Sequence, residues 1–209
     1  MKKIIALILV IGCMLSLASC HILFPNGQDE PDDTQKPDDS ASIPEIQNKI
    51  DASAPIGADI TVLYSTTLGD LNGSYNVVYN EDGTATVNYS YEKFNTLTAG
   101  NATTELKSVI SGTVTVAADG SVSGDLGAEG LNAVSFDLIL DAGKLSSVAI
   151  DAGVLSADVK AADTAAVLGV ALEYDVELVV ATGTNGVTYM TVAYNTAHGP
   201  VEIVTSYKY

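Results

Sequence analysis

The chain has 209 residues, 47% of them hydrophobic, and sets 26 acidic residues against nine lysines and no arginine, a formal net charge of −17. That balance excludes nucleic acid and anionic lipid headgroups as partners, because both need basic patches. It also removes the bidentate guanidinium fork that usually holds carboxylate or phosphate ligands. The N-terminus opens on Met1-Lys2-Lys3, a short basic region, followed by Ile4 to Leu17, apolar apart from Gly12 and Ser16. Small residues, Ala18 and Ser19, precede Cys20. This charged, apolar, small-residue order is that of a secretory signal. The apolar run is too short for a membrane-spanning helix, which needs about 20 residues.

The end of that run, Leu17-Ala18-Ser19-Cys20, resembles the lipobox of bacterial lipoproteins: an aliphatic residue, two small residues, then cysteine. The resemblance covers only the first twenty residues. It implies that residues 1–19 are a cleaved signal peptide and that the Cys20 thiol receives a diacylglycerol. The protein would then sit outside the cytoplasm, lipid-anchored to the bacterial cell membrane. Two other readings stand beside it: a plain signal peptide followed by an ordinary Cys20, with Cys13 as disulfide partner, or an uncleaved anchor. Cys13 lies within the segment to be removed, so cysteine arithmetic leaves Cys20 alone in an exported chain. A free thiol in an oxidising compartment is a liability that a thioether removes. Two acyl chains, at about 0.8 kcal/mol per buried methylene, anchor stably where one does not. The mature chain keeps seven lysines and all 26 acids, 7 − 26 = −19.

Residues 20–43 change character abruptly: NGQDEPDDTQKPDDSAS is acidic, Pro-containing and nearly free of large apolar groups. Such a stretch cannot bury enough surface to offset chain entropy and reads as a disordered tether. Its root-mean-square span is about 25 Å. Five of the six prolines precede residue 56 and the sixth is Pro200. The proline-poor stretch between them suits strands, where a missing N–H breaks the ladder. Residues 44–209 are therefore expected to form a single all-β domain.

Pro44 to Lys49 predicts a short helix with Ser42 as N-cap. In SYNVVYNEDGTATVNYSY, the loop Glu81-Asp82-Gly83 places glycine at a left-handed position and pairs Tyr79 with Ala85, Val77 with Val87 and Tyr75 with Tyr89. Thr96 to Lys107 reads as a polar connection with at most one helical turn. The same loop length at Ala118-Asp119-Gly120 pairs Val116 with Val122. At Asp141-Ala142-Gly143 it pairs Phe136 with Val148 and Val134 with Ile150. Ser156 to Leu168 is Ala-rich and closed by Gly169, so it reads as helix or strand at nearly even weight. VALEYDVELVV alternates over eleven residues, with Val170, Leu172, Tyr174, Val176, Leu178 and Val180 on one face. The loop Thr184-Asn185-Gly186 pairs Val180 with Met190 and Leu178 with Val192. His198-Gly199 turns into a last strand, Val201 to Tyr207, read as an edge because it starts at Pro200. The expected fold is an all-β antiparallel meander of about nine or ten strands, curled or barrel-like, with a two-layer sandwich as alternative and one or two short helices.

Chemistry is sparse. His21 adjoins the anchor and His198 sits in a turn. No Cys/His cluster suits zinc, and no cofactor motif is present. Ser90-Tyr91-Glu92-Lys93 has the SxxK spacing of penicillin-binding enzymes, but in a strand its Ser and Lys face opposite sides. Glu173, Asp175 and Glu177 share one strand face and read as a solvated surface. Tyr75, Tyr79, Tyr89 and Tyr91 share a face of the first clear hairpin. Exposed, they would form a binding stripe for a sugar or protein. Their neighbours Val77 and Val87 favour a core role. These observations lead to a non-enzymatic binding or interaction module anchored through diacylglyceryl-Cys20. A carrier of an apolar ligand inside a curled sheet is the alternative, and an envelope hydrolase with paired carboxylates the third reading.

Overall fold

In the computed structural model, which describes residues 42–99, 102–119, 121 and 138–209, the first element is helix α1 (Ile43–Asp51). Ser42 caps it as expected: its backbone N–H donates to Glu45 Oε2 at 2.6 Å and its hydroxyl to the same oxygen at 3.1 Å. Pro44 occupies the first turn, where its missing N–H costs nothing. The signal segment, Cys20 and the acidic stretch lie outside the described residues.

Nine strands follow: β1 (Gly57–Thr66), β2 (Gly69–Tyr79), β3 (Ala85–Ala99), β4 (Ala102–Val116), β5 (Leu145–Asp151), β6 (Val154–Val159), β7 (Val176–Gly183), β8 (Gly186–Thr196) and β9 (Gly199–Lys208). They form one antiparallel sheet in the order β4-β3-β2-β1-β9-β8-β7-β6-β5. The sheet is a meander, as the alternation predicts, and it is not closed: β4 and β5 are its two ends. Two runs of hairpins, β1 to β4 and β5 to β9, meet at a seam where β1 pairs with β9 from Gly57↔Lys208 to Tyr64↔Val201.

The β2–β3 hairpin has the expected register, Tyr79↔Ala85, Val77↔Val87 and Tyr75↔Tyr89. Its loop closes through Asn80 N–H to Thr84 O at 2.8 Å, with Gly83 at φ 81°. The β7–β8 bodies are also in register, Val180↔Met190 and Leu178↔Val192, but the loop is shorter than read. Gly183 pairs with Gly186 across a two-residue turn, and a one-residue bulge after Ala181 restores the register. A bulge absorbs one residue without changing which face is buried.

Several expectations are corrected. Thr96 to Lys107 is not a polar connection; it lies within a long arm in which β3 and β4 pair continuously from Ala85↔Val116 to Ala99↔Ala102. Its β-branched threonines form strand with no core to alternate against. Ala117 N–H bonds Ser121 O at 3.0 Å, as the second hairpin requires, while Val122 lies outside the described residues. The turn at Asp141 to Lys144 exists, but β5 pairs forward with β6, Ile150↔Leu155, through a turn at Ala152 (φ 46°) and Gly153 (φ 80°). Phe136 and Val134 lie outside the described residues. The ambiguous segment 156–168 divides: its first part is in β6, and its second is a 3₁₀ turn (Ala161–Asp163) leading into helix α2 (Thr164–Leu168), stopped by left-handed Gly169. The eleven-residue alternation at 170–180 holds in burial, but only Val176 onward joins the ladder. Finally, β9 is a central strand. Pro200 is tolerated because the β1 ladder begins only at Val201.

One face of the sheet carries the core. Ile60, Val62, Val77, Val87, Leu155, Leu178, Met190, Val192 and Ile203 are buried there, together with Ile46 of α1 and Val167 and Leu168 of α2. Gln47 of α1 holds an extended segment against this core: its amide Nε2 donates to Leu138 O at 3.3 Å, and its Oε1 accepts from Leu140 N–H at 2.7 Å. Ile139 N–H then bonds Val167 O at 2.9 Å, linking both helices through three residues.

Candidate functional site

A pocket of about 480 Å³ opens where α1 ends, beside the ends of β2 and β9 and the start of β8. Two side chains fix its wall by bonding one residue, Val187. Ser53 Oγ accepts Val187 N–H at 2.9 Å while donating to Lys49 O at 2.8 Å, which ties the β7–β8 turn to the end of the helix. Tyr209 O–H donates to Val187 O at 2.7 Å. Gly186 is required here, because its φ is 119° and a Cβ would run into Ser53.

The lining is mainly apolar and aromatic. Ile50 and Pro55 come from the helix end and the chain beyond it, Leu138 and Ile139 from the segment clasped by Gln47, and Tyr79, Tyr207 and Tyr209 from the strand ends. Asp51 supplies the one acidic side chain of the lining, and no lysine lines the pocket among the described residues. Burial pushes the Tyr207 phenol well above its ordinary 10.0, and the neighbouring Tyr79 and Tyr209 hydroxyls push in the same direction. Burial also raises Tyr79.

The folded protein therefore keeps the Tyr207 proton where the unfolded chain, titrating near 10.0, has released it. Stability from this group is complete below about pH 10 and is lost as pH rises above it, by up to about 1.4 kcal/mol per pH unit for each such tyrosine. Urea midpoints measured at pH 8 and pH 11 are expected to fall between the two conditions, and to fall less in Tyr207→Phe. Equal slopes in the two proteins would show that the phenol is not held protonated by the fold.

The tyrosines singled out from the sequence divide. Tyr75 and Tyr91 are buried in the core, at 2% and 5% exposure, and Tyr89 is half-buried with its ring stacked on Tyr91 at 5.9 Å. Tyr79 alone of the four reaches the pocket. Glycines make room for the buried rings: a Cβ on Gly73 would meet the Tyr75 ring at 2.8 Å, and one on Gly112 would meet the Tyr89 hydroxyl at 2.7 Å. Tyr207 and Tyr209 were not singled out, because nothing local marks them; only the β1–β9 seam brings them beside Tyr79.

The other candidates lie elsewhere. Glu173, Asp175 and Glu177 are exposed, and Asp175 is engaged by Lys160 at 2.7 Å and Ala161 N–H at 2.9 Å, which hold its carboxyl below the usual range. His198 is an exposed turn residue. Ser90 and Lys93, an odd number apart on β3, point to opposite faces. No group of three or more His, Cys, Asp or Glu among the described residues is arranged to hold a metal ion. A second hollow, about 530 Å³, lies on the other face of the sheet beside Leu63, Val109 and Val204. Its Glu92 is already engaged by Lys107 and Asn72. No protein-family model, curated protein or solved structure matches the chain significantly.

Proposed function

We propose that this chain is a non-enzymatic binding protein, held outside the cytoplasm on a bacterial membrane by diacylglyceryl-Cys20 and an acidic tether. The observation that carries the binding role is the pocket beside Tyr79, Tyr207 and Tyr209, whose volume falls in the range of small-molecule sites. Its apolar lining favours the carrier reading over a tyrosine stripe docking on a partner, since two of the four stripe residues are in the core. The lipobox resemblance at Leu17-Ala18-Ser19-Cys20 supports the location.

Native mass spectrometry of the full-length protein extracted from its host tests both halves. The expected mass lacks residues 1–19, carries a diacylglycerol that Cys20→Ser removes, and includes a small molecule that Ile139→Trp displaces. Ile139 suits that substitution because it lines the pocket yet is 57% exposed, so added bulk does not burden the core. An unprocessed mass identical in wild type and Cys20→Ser would overturn the anchor. A protein that carries no small molecule, or carries it undiminished in Ile139→Trp, would overturn the pocket.

A further inference from the structure

The lining of the pocket narrows the chemistry of what it takes. At about 30 Å³ per water-sized group, 480 Å³ accommodates about sixteen such groups, a ring system or a short branched chain. Ile50, Leu138, Ile139 and Val187 offer such a molecule only dispersion and burial. The Ser53 hydroxyl is already committed to Lys49 O and Val187 N–H, so the polar end must be met by three tyrosines and Asp51. Tyrosine faces carry negative potential and attract cations, most strongly when desolvated. Their hydroxyl oxygens keep lone pairs even where, as in Tyr209, the proton is already donated.

Every formal charge of the lining is negative. Asp51 Oδ1 accepts the Gln47 amide at 2.6 Å, which fixes the carboxylate at the rim and leaves its second oxygen for a ligand. Lys208, between the lining residues Tyr207 and Tyr209, is committed to Asp59 at 2.7 Å. With no arginine in the chain and a strongly negative net charge, an anionic ligand such as a fatty acid would enter against the field without a counter-ion. A neutral ligand would leave the Asp51 charge with only its Gln47 hydrogen bond. Building on the binding role proposed above, we infer that the pocket takes an apolar organic cation, a substituted ammonium whose charge lies among Tyr79, Tyr207, Tyr209 and Asp51 and whose body lies on Ile139 and Val187. Asp51 is the counter-charge and the rings are the cage.

Calorimetry on the full-length protein in nanodiscs, with empty nanodiscs as blank, tests this using benzyltrimethylammonium, benzyl alcohol and benzoate. The cation is expected to bind at least tenfold more tightly than the alcohol, with no measurable benzoate binding. Asp51→Asn should weaken the cation at least fivefold and leave the alcohol unchanged, and Tyr207→Leu should weaken the cation in the same direction. Cation and alcohol binding with equal affinity, both abolished by Ile139→Trp, would overturn the ligand class while leaving the pocket as a binding site. No binding of any of the three, or binding indifferent to Ile139→Trp, would overturn the binding site itself. The exposed positions of Asp51 and Ile139 keep both variants foldable, which far-ultraviolet circular dichroism would verify.

Discussion

Gly199→Ala is expected to destabilise the domain by about 3 kcal/mol or more, at the upper end of single-residue effects. Gly199 begins β9 at φ 147°, a conformation that L side chains rarely adopt, and a Cβ there would overlap the Ser65 carbonyl oxygen of β1. Backbone is what it meets, so no rotamer change relieves the clash. The turn it closes is fixed from within as well: Thr196 Oγ1 donates to Gly199 O at 2.9 Å and accepts the N–H groups of His198 and Gly199 at 3.1 and 3.2 Å. A displaced Gly199 therefore loosens both the turn and the start of the β1–β9 seam. Thermal unfolding should show a fall of about 6 to 12 °C for a domain of this size. Gly143→Ala is the control: its Cβ would meet only the Asp141 side chain, at 3.3 Å, and its expected effect is within about 0.5 kcal/mol. If both variants melt with the wild type, the β8–β9 turn does not press on β1 as described.

Leu178→Ala is expected to cost about 2 to 5 kcal/mol. Leu178 is 0% exposed on β7, with Ala157 of β6 and Val192 of β8 as its cross-strand partners. One partner is already small and the other is β-branched and stiff, so neither fills the space left by three missing carbons. Leu97→Ala removes the same atoms from the long arm, where Leu97 is 55% exposed, and is expected to change stability by less than about 0.5 kcal/mol. Urea unfolding of the pair separates burial from strand propensity. Equal losses at the two sites would contradict the one-sided core.

The sequence was most legible where glycine follows an acidic residue at a fixed offset. Asp82-Gly83 placed the β2–β3 register correctly, since a one-residue slip would have turned Val77 and Val87 outward. It was least legible where turns are made by other means. Thr66 closes the β1–β2 turn by donating to Gly69 O at 2.8 Å and accepting Leu68 N–H at 3.2 Å, which repeats the chemistry of Thr196 and Gly199. Thr-x-x-Gly was thus a second turn signal, at TTLG and TAHG, and it would have revealed β1. The arm of β3 and β4 was missed because its outer half has no core to impose alternation, leaving only the threonines as evidence. The pocket was not readable at all beyond Tyr79. Its walls come from residues as distant in sequence as Ile50 and Tyr209, and pattern arguments see neighbours only within one element.

The seam between β1 and β9 also imposes an order of assembly. Every other pairing joins strands consecutive in the chain, whereas Gly57 and Lys208 lie about 150 residues apart. Local hairpins close early and cheaply, while distant contacts are delayed by the entropy of bringing the chain together. The two runs of hairpins are therefore the fast-forming units, and the facing edges of β1 and β9 stay open until β9 has emerged and docked. Tyr79 and Tyr207 belong to different units, so the pocket does not exist in either half. The pocket is completed only with the last and slowest event, and the same event covers the two edges most able to recruit the wrong strand.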